Sequence, residues 1–356
     1  MSTLHTAGLH HITLVARNAR RTLAFYRDVL GLSLVKQTVN FDDPGAYHLY
    51  FGDPTGAPGT LVTFFEWADA PQGRFGIGGV HHVAFGTASR ETLLMWKRWL
   101  SDHGIPVTGP LDRGWFTSLY FRDPDGQVLE IATMGPGYTV DEPFETLGTT
   151  LIMPAAKQLA GTRDEHTLFA ANHPEPLAAI TPEMALTGMH HVTGMTDDLP
   201  RMGEFFEQAL GMRLVKQSVN QDDPDTLHYF WAATDETGVR PRSSYTLFGW
   251  PRTAPRARGG VGQTHHVAFR VRDAEAQAAW RDHLLSIGLD VSPVMDRTYF
   301  SSLYFHAPDG LLVELATDPP GFAIDEAPDA LGTTLKLPEW LEPQREEIAR
   351  QLAPLG

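Results

Sequence analysis

The sequence predicts an α+β fold in which four βαβββ modules pair into two barrel-like domains. Three observations carry this. First, two histidines stand side by side four times, each pair opening a short apolar run: His10-His11 in LHHITLV, His81-His82 in VHHVAFG, His190-His191 in MHHVTGM and His265-His266 in THHVAFR. Eight of the 16 histidines lie in these pairs. Second, the chain repeats itself. LVKQTVNFDDP at 34–44 returns as LVKQSVNQDDP at 214–224, DRGWFTSLYFRDPDG at 112–126 as DRTYFSSLYFHAPDG at 296–310, and LGTTL at 147–151 at 331–335. Third, one helical stripe and then strand-like runs follow each His-His strand.

In the first module, 9–16 reads as a strand. Asn18 is a helix N-cap, and Thr22, Phe25, Tyr26, Val29 and Leu30 form an apolar stripe that ends at Gly31. Strand-like runs follow at 34–41, 47–52 and 60–67, separated by Asp-Asp-Pro and Gly/Pro turns. The second module repeats the order: strand 80–87, N-cap Ser89, a helix to His103 and Gly104, then strands including 118–122 and 128–133. Modules 188–250 and 264–320 copy modules 8–69 and 79–135. The first repeat half is therefore 1–154 and the second 188–322, with 155–187 as the connection and 323–356 as a C-terminal extension ending in a short amphipathic helix. The repeat offset grows from 180 to 184, and the four extra residues are expected in loops between Trp67 and His82 or their equivalents. Phe25, Tyr26, Phe205 and Phe206 fit core packing at helical spacing and receive no function.

At 356 residues the chain can bury a large core in about two domains. Its 42% hydrophobic content and mean hydropathy of −0.21 are ordinary for a globular protein. No run approaches the roughly 18 apolar residues of a membrane span. The N-terminus lacks a basic-then-apolar leader pattern, which places the expected compartment in the cytoplasm. With no cysteine, disulfides, iron–sulfur clusters, thiolate-bound zinc and cysteine nucleophiles are excluded together. A net charge of −15 argues against a nucleic-acid surface. Association of identical chains is compatible with the sequence.

Successive side chains on a strand point to opposite faces, so one histidine of each pair can face a barrel interior. Neutral imidazole is the commonest metal-binding side chain. The even modules end on apolar strands carrying one carboxylate each: Glu130 in VLEIAT and Glu314 in LVELAT, 48 residues after His82 and His266. A carboxylate there is costly unless paired or metal-bound. The odd modules carry Thr63 and Thr246 at the corresponding position. One odd plus one even module thus offers two histidines and one carboxylate, the donor set of the facial triad of non-haem Fe(II) oxygenases. Which odd module serves which even one is open at this level. Arg113 and Tyr120 precede Glu130 by 17 and 10 residues, and Arg297 and Tyr304 precede Glu314 by the same intervals. A tyrosine suits proton transfer or a bond to a phenolate, and an arginine suits developing negative charge. Thr13 and Thr193 return to the face of the inward histidine two residues on.

These modules, with their HHV/HHI first strands and LEI/VEL last strands, resemble the vicinal oxygen chelate superfamily, which includes glyoxalase I, extradiol dioxygenases and antibiotic-resistance proteins. Within it, the HHIT start, the DRxxFxSLYFxxPDG stretch, the duplicated LGTTL and the LPEWLEPQREEI tail are similar to the hydroquinone ring-cleaving dioxygenases. That resemblance implies a metal held by His11, His266 and Glu314, with His10, Thr13, His265, Arg297 and Tyr304 around it. It implies that modules one and four pair, as do two and three. Catechol-cleaving relatives would instead use His191, His266 and Glu314. The implied cofactor is Fe(II), with Mn(II) compatible with the same donors, and the implied substrates are a small aromatic diol and O2. His82, Glu130 and His191 remain as either a second metal site or a relic of duplication. Two other functions stand beside ring cleavage. A glyoxalase-type lyase or isomerase would need a fourth carboxylate where Thr63 and Thr246 stand. A non-catalytic small-molecule-binding protein would need no metal.

Overall fold

Each His-His run forms the first strand of a module. In the computed structural model these are β1 (Leu9–Ala16), β5 (Val80–Thr87), β9 (Met189–Thr196) and β15 (Thr264–Val271). The model describes residues 4–355; the outermost residues of the predicted ranges, 1–3 and 356, lie outside the described residues.

The first module continues with α1 (Ala19–Leu23), a π-helical turn (Ala24–Val29), β2 (Ser33–Asn40), β3 (Asp43–Gly52) and β4 (Leu61–Glu66). Asn18 Oδ1 accepts from the Arg21 N–H at 2.9 Å, satisfying a donor that the helix start leaves unpaired. The second module has α2 (Arg90–Asp102), β6 (Thr108–Asp112), β7 (Thr117–Arg122) and β8 (Val128–Thr133). Ser89 and Thr92 close a reciprocal capping box at the start of α2. The connection carries α3 (Glu165–Ala170) and packs on α2, where Lys97 Nζ donates to the carbonyls of Leu168, Phe169 and Ala171.

The third module holds α4 (Leu199–Leu210), β10 (Arg213–Asn220), β11 (Asp223–Ala232), the small hairpin β12 (Thr234–Asp235) and β13 (Gly238–Val239), and β14 (Ser244–Gly249). The fourth has α5 (Ala274–Ser286), β16 (Met295–Asp296), β17 (Phe300–His306) and β18 (Leu312–Pro320). The tail ends in α6 (Arg345–Gln351), which buries Ile348. No helix among the described residues is long and apolar enough to cross a membrane.

Two sequence expectations shift by a few residues. The Asp-Asp-Pro segments give only their first aspartate to the turns: Asp43 and Asp223 already belong to β3 and β11, and the turns are Phe41-Asp42 and Gln221-Asp222. Most of the extra length in the second repeat lies earlier than the stretch after Trp67. Tyr50 pairs with Thr63 across 13 residues, whereas Phe230 pairs with Thr246 across 16. The difference is the β12–β13 hairpin, which grows from a loop, where extra residues cost the sheet no pairing.

The strands form two eight-stranded sheets, ordered β16-β17-β18-β15-β1-β4-β3-β2 and β10-β11-β14-β9-β5-β8-β7-β6. Both are mixed: β1 runs parallel to β4 and antiparallel to β15, and β9 is parallel to β14 and antiparallel to β5. Each sheet belongs to one compact unit. Among the described residues, the outer unit joins the first and last modules (9–74 with 258–355), and the inner unit joins the middle two (4–8 with 75–257). The outer core packs Val35, Tyr50 and Leu61 against Ala268, Phe300 and Phe322. The inner core packs Phe116 and Ala132 against Val215 and Phe230. A side chain buried this fully contributes roughly 1.5–3 kcal/mol.

The repeated motifs that bear no chemistry form a clasp in each unit. Lys36, fully buried, donates to the carboxylates of Asp325 at 2.5 Å and Glu326 at 2.6 Å and to the Phe322 carbonyl at 3.1 Å. Glu326 in turn accepts from the Gly332 N–H at 3.1 Å. Gly332 has φ +70°, and a Cβ there would sit 2.1 Å from the Leu34 carbonyl oxygen. This close approach ties LGTTL to LVKQ and requires glycine. Lys216, Asp141, Glu142, Gly148 and Leu214 repeat the arrangement in the inner unit.

Candidate metal centre

The centre of the outer unit is set by strand register. β1 and β15 pair with His11 opposite Ala268 and Thr13 opposite His266. β18 lies parallel to β15 with Glu314 opposite Ala268. With a side-chain period of two, His11, His266 and Glu314 all emerge on one face of three adjacent strands. Their donor atoms converge: His11 Nε2 to His266 Nε2 is 3.2 Å, His11 Nε2 to Glu314 Oε2 is 3.4 Å, and His266 Nε2 to Glu314 Oε2 is 2.9 Å. All three residues are buried.

The first histidine of each pair orients the second. His10 Nδ1 lies 2.9 Å from His11 Nδ1, and His265 Nδ1 lies 2.8 Å from His266 Nδ1. With Nδ1 engaged by the neighbouring imidazole, Nε2 of His11 and of His266 is the nitrogen turned to the cluster. Burial, with His11 beside it, pushes the His10 imidazole down to about 3, and burial beside His266 takes His265 to about 4. Both are neutral at neutral pH.

Burial alone would raise the Glu314 carboxyl. The adjacent imidazoles of His11 and His266 outweigh it and hold the group well below the usual carboxylate range. Ser302 Oγ donates to Glu314 Oε1 at 2.5 Å. Oε2, directed at the two imidazoles, accepts no conventional hydrogen bond. Two imidazole nitrogens and an orphaned carboxylate oxygen within 3.4 Å of one another match a divalent cation that prefers nitrogen and oxygen donors.

Arg297 and Tyr304 lie beside the cluster, at the wall of a cavity. Arg297 Nε donates to the Tyr304 hydroxyl at 3.3 Å, and Nη1 donates to Asp42 Oδ2 at 3.1 Å. Burial is the main reason the Tyr304 hydroxyl lies well above its usual value, with Glu314 adding to it, so Tyr304 stays protonated. Thr13 Oγ1 meets Thr63 Oγ1 at 2.7 Å. A cavity of about 380 Å3 opens on the cluster, walled by Phe41, Phe65, Trp67, Phe300 and Leu312, with His48, Tyr50, Arg297 and Tyr304 as polar groups.

His48 and Tyr50 were not singled out from the sequence. His48 Nε2 lies 2.9 Å from Thr63 Oγ1, and the Tyr50 hydroxyl lies 3.0 Å from His48 Nδ1. Burial, reinforced by His11 and His266, holds His48 well below the usual imidazole range. One signal was available: His48 and His228 recur at the same offset as LVKQ. Ser302 was hidden inside the SSLYF repeat.

The inner unit repeats the geometry. His82 Nε2 to His191 Nε2 is 3.2 Å, His82 Nε2 to Glu130 Oε2 is 2.9 Å, and His191 Nε2 to Glu130 Oε2 is 3.2 Å. Arg113 Nη2 donates to the Tyr120 hydroxyl at 3.1 Å. His191 therefore joins His82 and Glu130, not His266 and Glu314, and the arrangement drawn from catechol-cleaving relatives does not form.

Known proteins share both the fold and the length of this chain. The "Putative ring-cleaving dioxygenase MhqO" of Bacillus subtilis is 33% identical over 349 residues, covering 98% of this chain and 96% of that protein. The "Putative ring-cleaving dioxygenase MhqE" of the same organism is 36% identical, covering 97% and 98%. A chlorohydroquinone/hydroquinone 1,2-dioxygenase of Sphingobium indicum is 28% identical over 352 residues, covering 97% and 95%. The crystal structure of a "putative dioxygenase" from Bacillus subtilis matches with a TM-score of 0.77 at 32% identity, over 99% of this chain and 98% of that one. Glyoxalase I from Zea mays shares the fold, with a TM-score of 0.55 at 18% identity. Residues 8–131 and 188–324, the two repeat halves that carry all four His-His strands, match one family model, and the chain belongs to the Glyoxalase/Bleomycin resistance protein/Dioxygenase superfamily.

Proposed function

We propose that the chain is a ring-cleaving dioxygenase, Fe(II)-dependent and of the extradiol type, acting on hydroquinone-like aromatic diols with O2. The observation that carries this reading is the open side of the outer cluster. His11, His266 and Glu314 meet at the floor of a cavity whose walls are planar aromatic side chains. Relatives named for ring cleavage, one of them for hydroquinone, align over nearly the whole chain.

His11, His266 and Glu314 would hold the ion. Fe(II), when bound, supplies a redox-active Lewis acid with positions left open for the diol oxygen and for O2, and Mn(II) fits the same donors. The chain's own residues do the rest. Phe41, Phe65, Trp67 and Phe300 form a slot for a flat ring and exclude water from it. Tyr304, held protonated by burial, keeps a proton at its hydroxyl for exchange with a ring oxygen. Arg297 positions that hydroxyl and places positive charge beside it, and Asp42 anchors the guanidinium. His10 and His265 set the tautomers of the ligating imidazoles. Thr13 fixes Thr63, which bonds His48 at the cavity wall. Thr63 also stands where a lyase or isomerase would need its fourth carboxylate.

The test is anaerobic loading with Fe(II), then O2 uptake and product analysis with a panel of substituted hydroquinones and catechols. Stoichiometric O2 uptake with ring-opened product is expected for hydroquinones. No cleavage of any diol by iron-loaded protein would overturn the proposal.

A further inference from the structure

We infer that His82, His191 and Glu130 form a second metal site, closed to substrate, in which a divalent ion ties β5, β8 and β9 of the inner unit together. The inference does not rest on the dioxygenase reading, because it concerns metal content and access rather than turnover.

The first argument is the state of Glu130. It is fully buried; Oε2 meets only the His82 and His191 nitrogens, at 2.9 and 3.2 Å, and neither oxygen accepts a conventional hydrogen bond. Glu314, its counterpart, at least accepts a bond from Ser302. A buried carboxylate without compensation is among the costlier things a fold can hold, and a cation at the point where it meets two imidazole nitrogens removes that cost. Those nitrogens are prepared for it. His190 Nδ1 lies 2.8 Å from His191 Nδ1, which leaves His191 Nε2 as the nitrogen facing Glu130. His81 Nδ1 lies 2.8 Å from His82 Nδ1.

The second argument is what covers the site. Where Phe41 walls the outer cavity, the inner unit has Gln221, which is buried. Gln221 accepts from Arg113 Nη1 at 2.9 Å, donates through Nε2 to the Asp112 carbonyl at 2.9 Å, and accepts at its backbone oxygen from the Ala160 N–H at 2.8 Å. Arg163, from the connection between the repeat halves, pairs with the neighbouring Asp222 at 2.6 Å. Arg113 is thereby spent on Gln221 and Tyr120, whereas Arg297 faces an open cavity. Phe230, fully buried, takes the place of Tyr50. The inner unit does have a cavity of about 290 Å3, but its lining reaches only as far as His190 and Phe116 and includes none of the three donors. Donors set apart from the cavity that a reactant could enter suit a structural ion.

Metal counting decides the matter. The full-length protein is loaded anaerobically with Fe(II), and separately with Zn(II), desalted, and analysed by mass spectrometry of the metal. Two ions per chain are expected for the wild type, one for Glu314→Ala, and none for Glu130→Ala combined with Glu314→Ala. One ion in the wild type and none in Glu314→Ala would overturn the second site, and this comparison stands even if the double variant fails to fold. Closure is read from chelation of the Zn(II) protein by EDTA. Two kinetic phases are expected, with the slow phase alone remaining in Glu314→Ala; release of the Glu314→Ala ion at the fast rate would overturn closure.

Discussion

His11 and His266 stand 255 positions apart in the chain, yet their Nε2 atoms face each other at 3.2 Å over the same oxygen of Glu314. They come from the first and last modules, whose strands β1 and β15 pair edge to edge. The outer centre therefore exists only because the ends of the repeat fold onto each other.

Removing one of these imidazoles should separate the two units functionally. His11→Ala should strip the outer ion and lower turnover by more than roughly 100-fold, since even residues that merely support ligands cost about 10–100-fold. His191→Ala should lose far less turnover, because its imidazole belongs to the other cluster. Parallel metal analysis and O2 uptake check this. A dead His191→Ala beside an active His11→Ala would reverse the assignment of the two centres.

Glu314→Ala deletes the outer unit's only carboxylate donor. Turnover should fall below detection while the metal-free protein unfolds at the same urea concentration or a higher one, because a buried charge has been removed. Full turnover at saturating Fe(II) would show that Glu314 is not a ligand.

Tyr304→Phe keeps the ring and removes the hydroxyl that Arg297 holds. A residue acting in proton transfer contributes about 100- to 10,000-fold, so kcat should drop by at least about 100-fold with bound iron unchanged. Steady-state kinetics on iron-matched samples read the result. A kcat within experimental scatter of the wild type would reduce Tyr304 to a wall of the cavity.

Lys36→Met leaves Glu326 buried without its partner. Breaking such a pair costs about 3–5 kcal/mol, far above the roughly 0–1 kcal/mol of an exposed pair. Urea unfolding of the outer unit should show a loss in that range. A loss below about 1 kcal/mol would mean that the clasp is held by the Gly332 contact instead.

Acid should weaken the metal-free protein. His10 is depressed to about 3 from its ordinary value of 6.5, so between those values the unfolded chain binds a proton that the folded chain refuses. Stability then rises with pH in that window and is lost as pH falls below about 6.5, by about 1.4 kcal/mol per pH unit for each such histidine. The urea midpoint of apoprotein should drop between pH 7 and pH 5. A flat profile would mean that His10 is charged in the fold.

Much of this protein could be read directly. Asn18 and Ser89 as helix caps, the four first strands, and the donor types His, His and Glu all follow from local pattern, since caps and strand alternation depend on residues a few positions apart. Repetition added the module count and marked Arg297 and Tyr304. His48 escaped because a lone histidine on a half-polar strand has no local signature; its role appears only when Thr63 and Tyr50 fall beside it. The hairpin β12–β13 escaped for the same reason in reverse, since a loop insertion leaves the flanking patterns intact. Module pairing lay beyond composition and spacing altogether. β1 and β9 carry nearly the same side-chain pattern, and the backbone hydrogen bonds that join strand edges do not depend on which residues the strands carry. Phe300 packs on His10 and His11 at ring distances of 5.1 and 5.2 Å just as Phe116 packs on His190 and His191 at 4.9 and 5.4 Å, so which modules pair becomes visible only in three dimensions.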